Sequence, residues 1–531
     1  MDSTEISSGQ WTEICRQAFE VGDGLSPGFA EAFCARLAES VGRAHGLSVA
    51  EAFVAGACEL ARYASEGIKD DENAVEAECK AVTVSRRIVR PVLQAKLQSR
   101  LDMLDEESKG VVAPCPKCAK ATESEGRRSR TWKSVLGLLS LRRRYSSCTQ
   151  PECDGGIAPS QRALGLPDGE FTARLEEVCT MMATTVPYGM ATDLVDKLCG
   201  IDVSVKAMED MTERRGAAVV AQNAAESVRL TPFLPNGLPV VEQMRPGDSL
   251  PANAAPAVAY LELDGVIPIT REELTGKEIS AADRRRQRRA RERKARGGKA
   301  RRYRIVGREV KNAVFYDGKD CATESPSRGC LLKKTYVSHL GDWMTFAMLL
   351  WVAMLRKRFD GAKLLVVLSD GSDWIRSLAE WLPIKAFLIL DLYHVKHRIF
   401  EVAHAVFGEH SPEARKWADV QGNRVEAGDA RHVIEALSFL KPRAKKTRKL
   451  VDDLSGYLTN NLDRMKYPEY RARGLRISSA AVESANFHVT GTRLKLQGMR
   501  WSAEGAAQMA VLRTDLFNDR WEERTRRLLA A

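Results

Sequence analysis

Ala259-Tyr-Leu-Glu-Leu-Asp264-Gly265-Val-Ile-Pro268 is an apolar run that delivers an acid near its end and then turns on a glycine. Valine, isoleucine, leucine and tyrosine at this density suit a strand buried on both faces. A carboxylate in the middle of such a run needs a partner, because an unpaired buried charge is expensive, so the pattern predicts Asp264 at the strand's exit. Lys363-Leu-Leu-Val-Val-Leu-Ser-Asp370-Gly371 repeats the design, ending in a second Asp-Gly pair. A third acid, Glu483, lies in Ile477-Ser-Ser-Ala-Ala-Val-Glu483-Ser-Ala-Asn486, where serines precede a helical pattern and are expected to cap it. Two strand-end aspartates and a helix-borne glutamate are the ingredients of a two-metal phosphoryl-transfer site.

Around these acids the chain reads as alternating strands and helices. Arg308–Tyr316 and Gly329–Val337 predict the second and third strands, and Trp343–Leu355 an apolar helix. The fourth strand (363–369), a helix holding Trp374, Ile375, Leu378 and Trp381, and the fifth strand (Lys385–Leu390) form a strand-helix-strand unit, which implies a parallel pair and a right-handed crossover. Three meandering strands followed by parallel ones predict an RNase H-like core of mixed α+β and α/β character, over 258–394 and 471–531. The charged helical segment 395–470 interrupts it as an all-helical insertion. Asp391 also ends an apolar strand and rivals Asp370 as second metal ligand. Asp370 is preferred because glycine follows it as it follows Asp264; the other role open to Asp391 is to cap the helix that starts near His394. His394 is a candidate to orient a phosphate or a metal-bound water, or a structural histidine at a helix start.

Upstream, Cys115-Pro-Lys-Cys118 and Cys148-Thr-Gln-Pro-Glu-Cys153 flank two strand-like stretches, Thr131–Val135 and Leu138–Tyr145, joined at Leu136-Gly137. A hairpin there brings four thiolates together in the manner of a structural zinc ribbon, assigned to 111–170. Arg142, Arg143 and Arg144 on the second strand fit phosphate contacts, and a solvated edge strand explains them equally. Residues 1–110 read as a helical packing or dimerisation arm, with a segment starting at Pro27 and further helices over Val49–Tyr63 and Val89–Leu104. Phe171–Met182, Met190–Leu198 and Val203–Arg215, with a turn at Gly200, form a helix-turn-helix-like unit within 171–230. Plain helical packing is the alternative. Prolines at 232, 235, 239, 246, 251 and 256 mark 231–257 as a linker.

Between the first two strands of the core lies a basic run, 284–302, in which Arg284, Arg285, Arg286, Arg288 and Arg289 lead a series of arginines and lysines relieved by one glutamate. It repels itself and stays solvated until a polyanion neutralises it. Over the whole chain, 81 Lys and Arg against 70 Asp and Glu leave a charge of +11, which favours nucleic acid as partner. The N-terminus lacks the basic and apolar regions of a secretory signal, and the longest apolar run, Met344–Leu355, is too short to span a bilayer. The expectation is a cytoplasmic, nucleoid-associated protein without membrane contact, its twelve cysteines reduced or metal-bound.

Taken together, Leu-Glu-Leu-Asp264-Gly265, Arg308-Glu-Val-Lys311, Leu-Ser-Asp370-Gly371, Leu390-Asp391-Leu-Tyr-His394, Ser479-Ala-Ala-Val-Glu483-Ser-Ala-Asn486, Arg493-Leu-Lys495 and Gly498-Met-Arg-Trp501 resemble the DDE transposases of bacterial insertion sequences. The likeness is to the Mutator-like group, nearest its Kra-type branch, and covers roughly 110–520; the cysteine pairs and Gly165-Leu-Pro167 share it. The resemblance implies Asp264, Asp370 and Glu483 as the acid triad, an Asp-x-x-His element at Asp391 and His394, and two Mg2+ (or Mn2+) ions per site. It implies binding to the terminal inverted repeats of an element, cleavage at its ends and transfer of the freed 3′-hydroxyls to target DNA by a homodimer or larger homo-oligomer. Arg493, Lys495 and Arg500 are then candidates for holding phosphates near the glutamate. Two other readings share these features: a DNA-binding protein that has lost catalysis, and an RNase H-like structure-selective nuclease.

Overall fold

The computed structural model describes residues 47–66, 73–110, 113–230, 254–273, a few positions between 284 and 292, 303–325 and 328–530. The helix expected from Pro27 and the proline-rich linker up to residue 253 lie outside them. The chain divides into two compact units, Met1–Met211 and Thr212–Ala531.

The first unit begins with α1 (Leu47–Glu66) and α2 (Ala74–Glu107). Asn73 opens α2 through a capping box, its side chain accepting from the Val75 and Glu76 amides while Glu76 reaches back to the Asn73 N–H. Strands β1 (Thr122–Ser134) and β2 (Gly137–Cys148) form the predicted hairpin, turning on Val135-Leu136 with Gly137 at φ +114°. They run farther than the sequence suggested, so that Thr122 pairs with Cys148 and the cysteine segments meet at the hairpin's open end. A short β3 (Gly156–Ile157) and α3 (Pro159–Ala163) follow. The helical unit is α4 (Ala173–Thr185), α5 (Tyr188–Cys199), closed by Gly200 in the left-handed region, and α6 (Val205–Leu230). The expected last helix ended at Arg215; α6 continues to Leu230 and crosses the division between the two units.

In the second unit β4 (Val258–Val266) is the centre of a mixed five-stranded sheet. After β5 (Ile269–Glu273) and β6 (Tyr303–Gly307) come β7 (Val310–Asp317), β8 (Cys321–Ser325), β9 (Arg328–Leu331), β10 (Thr335–Leu340), α7 (Trp343–Arg356), β11 (Leu364–Ser369), α8 (Asp373–Trp381), β12 (Ala386–Leu390) and α9 (Leu392–Phe407). The sheet order is β10-β7-β4-β11-β12, with β7 antiparallel to both its neighbours and β4, β11 and β12 mutually parallel. The third strand departs from expectation. The stretch 329–337 splits at Lys333-Lys334: β9 leaves to pair with β8, and only β10 joins the sheet. A strand alternates its side chains between faces, so one of two consecutive lysines would have to enter the core. The pair β5 and β6, unforeseen from sequence, brackets the basic run as an antiparallel stem with Glu273 opposite Tyr303.

Alternation along β4 builds a core on each face of the sheet. Ala259, Leu261 and Leu263 join Ala313, Phe315, Leu365 and Val367 against α7 and α8. Tyr260 points the other way with Tyr316, Val366, Leu368 and Ile389, against α9, the insertion helices α10 (Pro412–Glu426), α11 (Ala430–Ser438), α12 (Lys445–Asn460) and α13 (Tyr467–Ala472), and α14 (Ala480–Ala485). A π-helical turn, Asn486–Gly491, follows α14, and α15 (Thr492–Leu494), α16 (Ala503–Phe517) and α17 (Trp521–Ala530) close the chain. The two faces bury side chains of all five strands. Among the described residues no helix is long and apolar enough to cross a membrane.

Candidate functional site

On the face of β4 shared by Tyr260 point Glu262 and Asp264. Asp264 does not lie beyond the strand, as expected, but within it, paired with Asn312 in the ladder. The carboxylate is tolerated there because Asn486 Nδ2 donates to its Oδ2 at 2.5 Å. Strand β11 runs parallel beside β4 with Ser369 opposite Leu263, so its next residue, Asp370, emerges level with Asp264 on a neighbouring strand roughly 4.8 Å away. Asp370 accepts from the Ser372 N–H at 3.0 Å and hydroxyl at 3.1 Å, and Gly371 turns the chain at φ +89°. Glu483 is half-exposed on α14, with one oxygen 3.1 Å from His394 Nε2.

These groups share one electrostatic neighbourhood. Burial lifts the Asp264 carboxyl from 3.8 to about 6; the Gly265 amide and His394 lower it, while the charges of Asp370 and Glu483 push it up further. Each of the other three expected site residues therefore acts on Asp264. Among the described residues, however, the four cysteines discussed below are the only group of three or more His, Cys, Asp or Glu residues whose ligand atoms all lie within 4.8 Å of one another. Asn486 holds one of these acids, Asp264, and His394 lies against another, Glu483.

Asp391 has a different place. It is completely buried; its Oδ1 accepts from the His394 N–H at 2.7 Å and caps α9, and its Oδ2 accepts from both the N–H and the hydroxyl of Ser479. Both oxygens are thus engaged inside the protein. The serine expected to cap α14 works in reverse, donating to the sheet through Asp391 while its side chain makes no cap bond to the helix.

Sequence reasoning passed over Glu262, a carboxylate in the middle of the apolar run. It is fully buried, accepting from Tyr316 OH at 2.6 Å and from the Val482 N–H at 2.9 Å, and burial raises its pKa. The rule that a mid-strand acid needs a partner marked it, but the partners come from β7 and from a helix 220 residues away. Asn312, Ser338 and Thr490, also buried polar groups behind Asp264, were equally missed. No sequence signal marks them, since each lies in an ordinary strand or helix pattern.

In the first unit Cys115, Cys118, Cys148 and Cys153 form a group that could hold a metal ion such as zinc. Tetrahedral zinc with Zn–S bonds of about 2.3 Å spaces its sulfurs roughly 3.8 Å apart; here Cys115 and Cys153 are 3.8 Å apart and Cys118 and Cys148 3.4 Å. All four are free thiols. Burial would raise the Cys115 thiol, yet the backbone at Lys117 and Cys118 and the neighbouring thiols bring it down to about 7. Cys148, despite the Gln150 amide, and Cys153, despite the Gly155 amide, are pushed up by burial and the other thiols, so the cluster gives up its first proton at Cys115. Gly155 lets the backbone pass: a Cβ there would stand 2.5 Å from Cys115 Sγ.

The expected DNA contacts divide. Arg142, Lys495 and Arg500 are exposed. Arg144 is half-buried and 3.7 Å from Glu106. Arg143 is instead buried, donating to Gln161 and to the Arg128 carbonyl, and Arg493 is buried over the Trp501 ring at 4.8 Å. Both serve packing, because long aliphatic stems with planar heads fill space against aromatic and amide groups. Arg284, Arg285, Arg288 and Arg289 are exposed, and Arg286 lies outside the described residues. The helix-turn-helix-like unit is a poor match for a phosphate surface: residues 171–216 hold five basic against eight acidic side chains, and Lys206 at the start of α6 is already paired with Glu209 and Asp210.

Residues 334–526 match the family described as Uncharacterised protein family (UPF0236). The match takes in Asp370, Asp391, His394 and Glu483 and begins after Asp264. No curated protein matches the chain.

Three outcomes follow from this geometry. Asp391→Ala leaves the Ser479 and His394 amides unpaired in the interior and should destabilise the second unit by about 2–4 kcal/mol in urea unfolding, with Asp370→Ala well under 1 kcal/mol. The raised Asp264 pKa means that the folded, metal-free chain holds this proton more firmly than the unfolded chain. Its contribution is complete below pH 4 and lost as pH rises through 6, by no more than about 3 kcal/mol; the thermal midpoint should fall across that window, and less so in Asp264→Asn. Purified chain should carry about one zinc ion by elemental analysis, and Cys148→Ser should lose it.

Proposed function

We propose that the chain is a metal-dependent polynucleotidyl transferase of the DDE transposase kind, which binds the ends of a DNA element, cleaves phosphodiesters there and transfers 3′-hydroxyl ends to target DNA. The sheet order, with one antiparallel strand between the first and third and two parallel strands on the other side, supports an RNase H-like core carrying an all-helical insertion. The observation that carries the proposal is that Asp370 and Glu483, 106 and 219 residues beyond Asp264 in the chain, both bear on it, Asp370 from the end of the strand paired beside β4.

The donor set suits Mg2+ or Mn2+. All three groups are hard carboxylates, and a divalent cation would offset both the burial that lifts Asp264 and the smaller push from Asp370 and Glu483. A bound pair of such ions would supply the activation of water or of a 3′-hydroxyl for in-line attack and the stabilisation of the leaving oxygen. The protein's own part is to hold the three carboxylates at one place. His394, beside Glu483 and fixed through its N–H by Asp391, orients the glutamate or a phosphate. Asp391 serves as scaffold, leaving Asp370 as the second ligand. The cysteine group reads as a closed, structural zinc ribbon. Arg142, Lys495, Arg500 and the arginines above the β5 and β6 stem provide charge for the DNA backbone, and a homodimer or larger assembly would pair two element ends in the nucleoid.

Linear duplexes carrying the sequences that flank the coding region, incubated with Mg2+ or Mn2+, test this. The unmodified chain should nick and join them to a target plasmid, whereas Asp264→Asn should shift the duplex in a gel without cutting it. Binding without cleavage by the unmodified chain would contradict catalysis, and cleavage confined to branched DNA without joining would point to a structure-selective nuclease.

A further inference from the structure

Behind Asp264 lies a file of buried amides and hydroxyls that ends on one oxygen of that acid. Asn486 Nδ2 donates to Asp264 Oδ2 at 2.5 Å. Asn486 Oδ1 accepts from Asn312 Nδ2 at 2.5 Å, and the same Nδ2 reaches Thr490 Oγ1 at 3.2 Å. Asn312 Oδ1 accepts from Ser338 Oγ, again at 2.5 Å. Asn312, Ser338 and Thr490 are buried, and Asn486 is half-buried where the file meets the site.

The file has only one possible direction. Thr490 Oγ1 lies 3.1 Å from the Asn486 carbonyl oxygen. A carbonyl can only accept, so the threonine proton is committed to it, and the oxygen of that hydroxyl is left to accept from Asn312. That places Asn312 Nδ2 toward Asn486, which in turn must present Oδ1 to it and Nδ2 to Asp264. Ser338 closes the other end by donating to the oxygen of Asn312. Reversal would set Asn486 Oδ1 against Asp264 Oδ2 and Asn312 Oδ1 against the Thr490 oxygen, unpaired contacts in a buried place.

Asn486 opens the turn that follows α14. Residues 486–491 are π-helical, and such turns displace side chains from the regular helical sequence of faces, often at functional sites. Asn486 stands three residues after Glu483 on the same short stretch. One stretch of chain therefore supplies an acid and grips another that comes from the sheet.

We infer that Asn486, locked by Asn312, Thr490 and Ser338, is a positioning residue that fixes one oxygen of Asp264 and presents the other to a divalent cation. The inference rests on the reading of Asp264 as a metal ligand. Groups that hold a ligand from behind commonly contribute 10- to 100-fold to metal affinity.

Titration with Mn2+, followed by electron paramagnetic resonance and by the rise in thermal midpoint, tests it on the full chain. Asn486→Ala should weaken Mn2+ binding about tenfold or more. Ser338→Ala touches neither Asp264 nor the cation and should still weaken it severalfold, and the double variant should be no weaker than Asn486→Ala alone, because the two act along one path. Asn486→Gln, which restores a donating amide, should recover part of the affinity. Variants that lose stability while their Mn2+ affinity is unchanged would overturn the positioning role, as would multiplicative effects of the two alanines. Binding that Asp264→Asn abolishes but Asn486→Ala spares would overturn the inference alone. Absence of any Mn2+ binding by the unmodified chain would overturn the metal reading beneath it.

Discussion

Two buried carboxylates hold the amino end of a six-residue helix against a sheet, and the arrangement of the acids depends on them. Glu262 from β4 accepts the N–H of Val482, and Asp391 from the end of β12 accepts both donors of Ser479. The first N–H groups of any helix lack partners within it, and negative charge is favoured at that end. A helix as short as α14 has little stability of its own. Its position is set by these two acids and by the apolar contacts of Ala481, Val482 and Ala485 with the face of the sheet. The residue between Val482 and Ser484 is Glu483, so the bonds that dock the helix also deliver the glutamate.

The same device explains how a protein can keep five acids in so small a region. Two of them, Glu262 and Asp391, are fully enclosed and have every oxygen committed to internal donors, so their task is structural. Three, Asp264, Asp370 and Glu483, have partners on only part of their surface, and the charges of the latter two act on Asp264. Enclosure and satisfaction separate scaffold from candidate ligand far more sharply than residue type does. The two strand-end aspartates differ in this respect: both oxygens of Asp391 accept from donors of the fold, whereas the Asp370 carboxylate accepts from Ser372.

Much of this layout was legible in the sequence. Apolar runs fixed four of the five sheet strands closely, and Asp-Gly pairs pointed to adjacent strand ends because parallel neighbours in register must bring equivalent positions together. The spacing of the cysteines located their cluster. What escaped notice depends on pairing across long stretches of chain. Nothing local distinguishes Glu262 from a strand-breaking charge or Asn312 from a surface amide, because their partners Val482 and Asn486 come from a segment beyond the whole helical insertion. Arg143 and Arg493 misled for the complementary reason: a guanidinium reads as a surface charge until the aromatic or amide group that buries it is known. The stem of β5 and β6 was hidden by the basic run, whose charge obscures the alternation on either side.

The central claim is that the fold gathers Asp264, Asp370 and Glu483 to share divalent ions. Anomalous diffraction from crystals of the chain soaked in Mn2+ tests it most directly. The account predicts manganese at coordination distance, roughly 2.1 Å, from oxygens of Asp264 and Asp370, with Glu483 turned away from His394 to complete the site and Asp391 still bound to Ser479. Manganese found only elsewhere, or coordinated by Asp391 in place of Asp370, would contradict it.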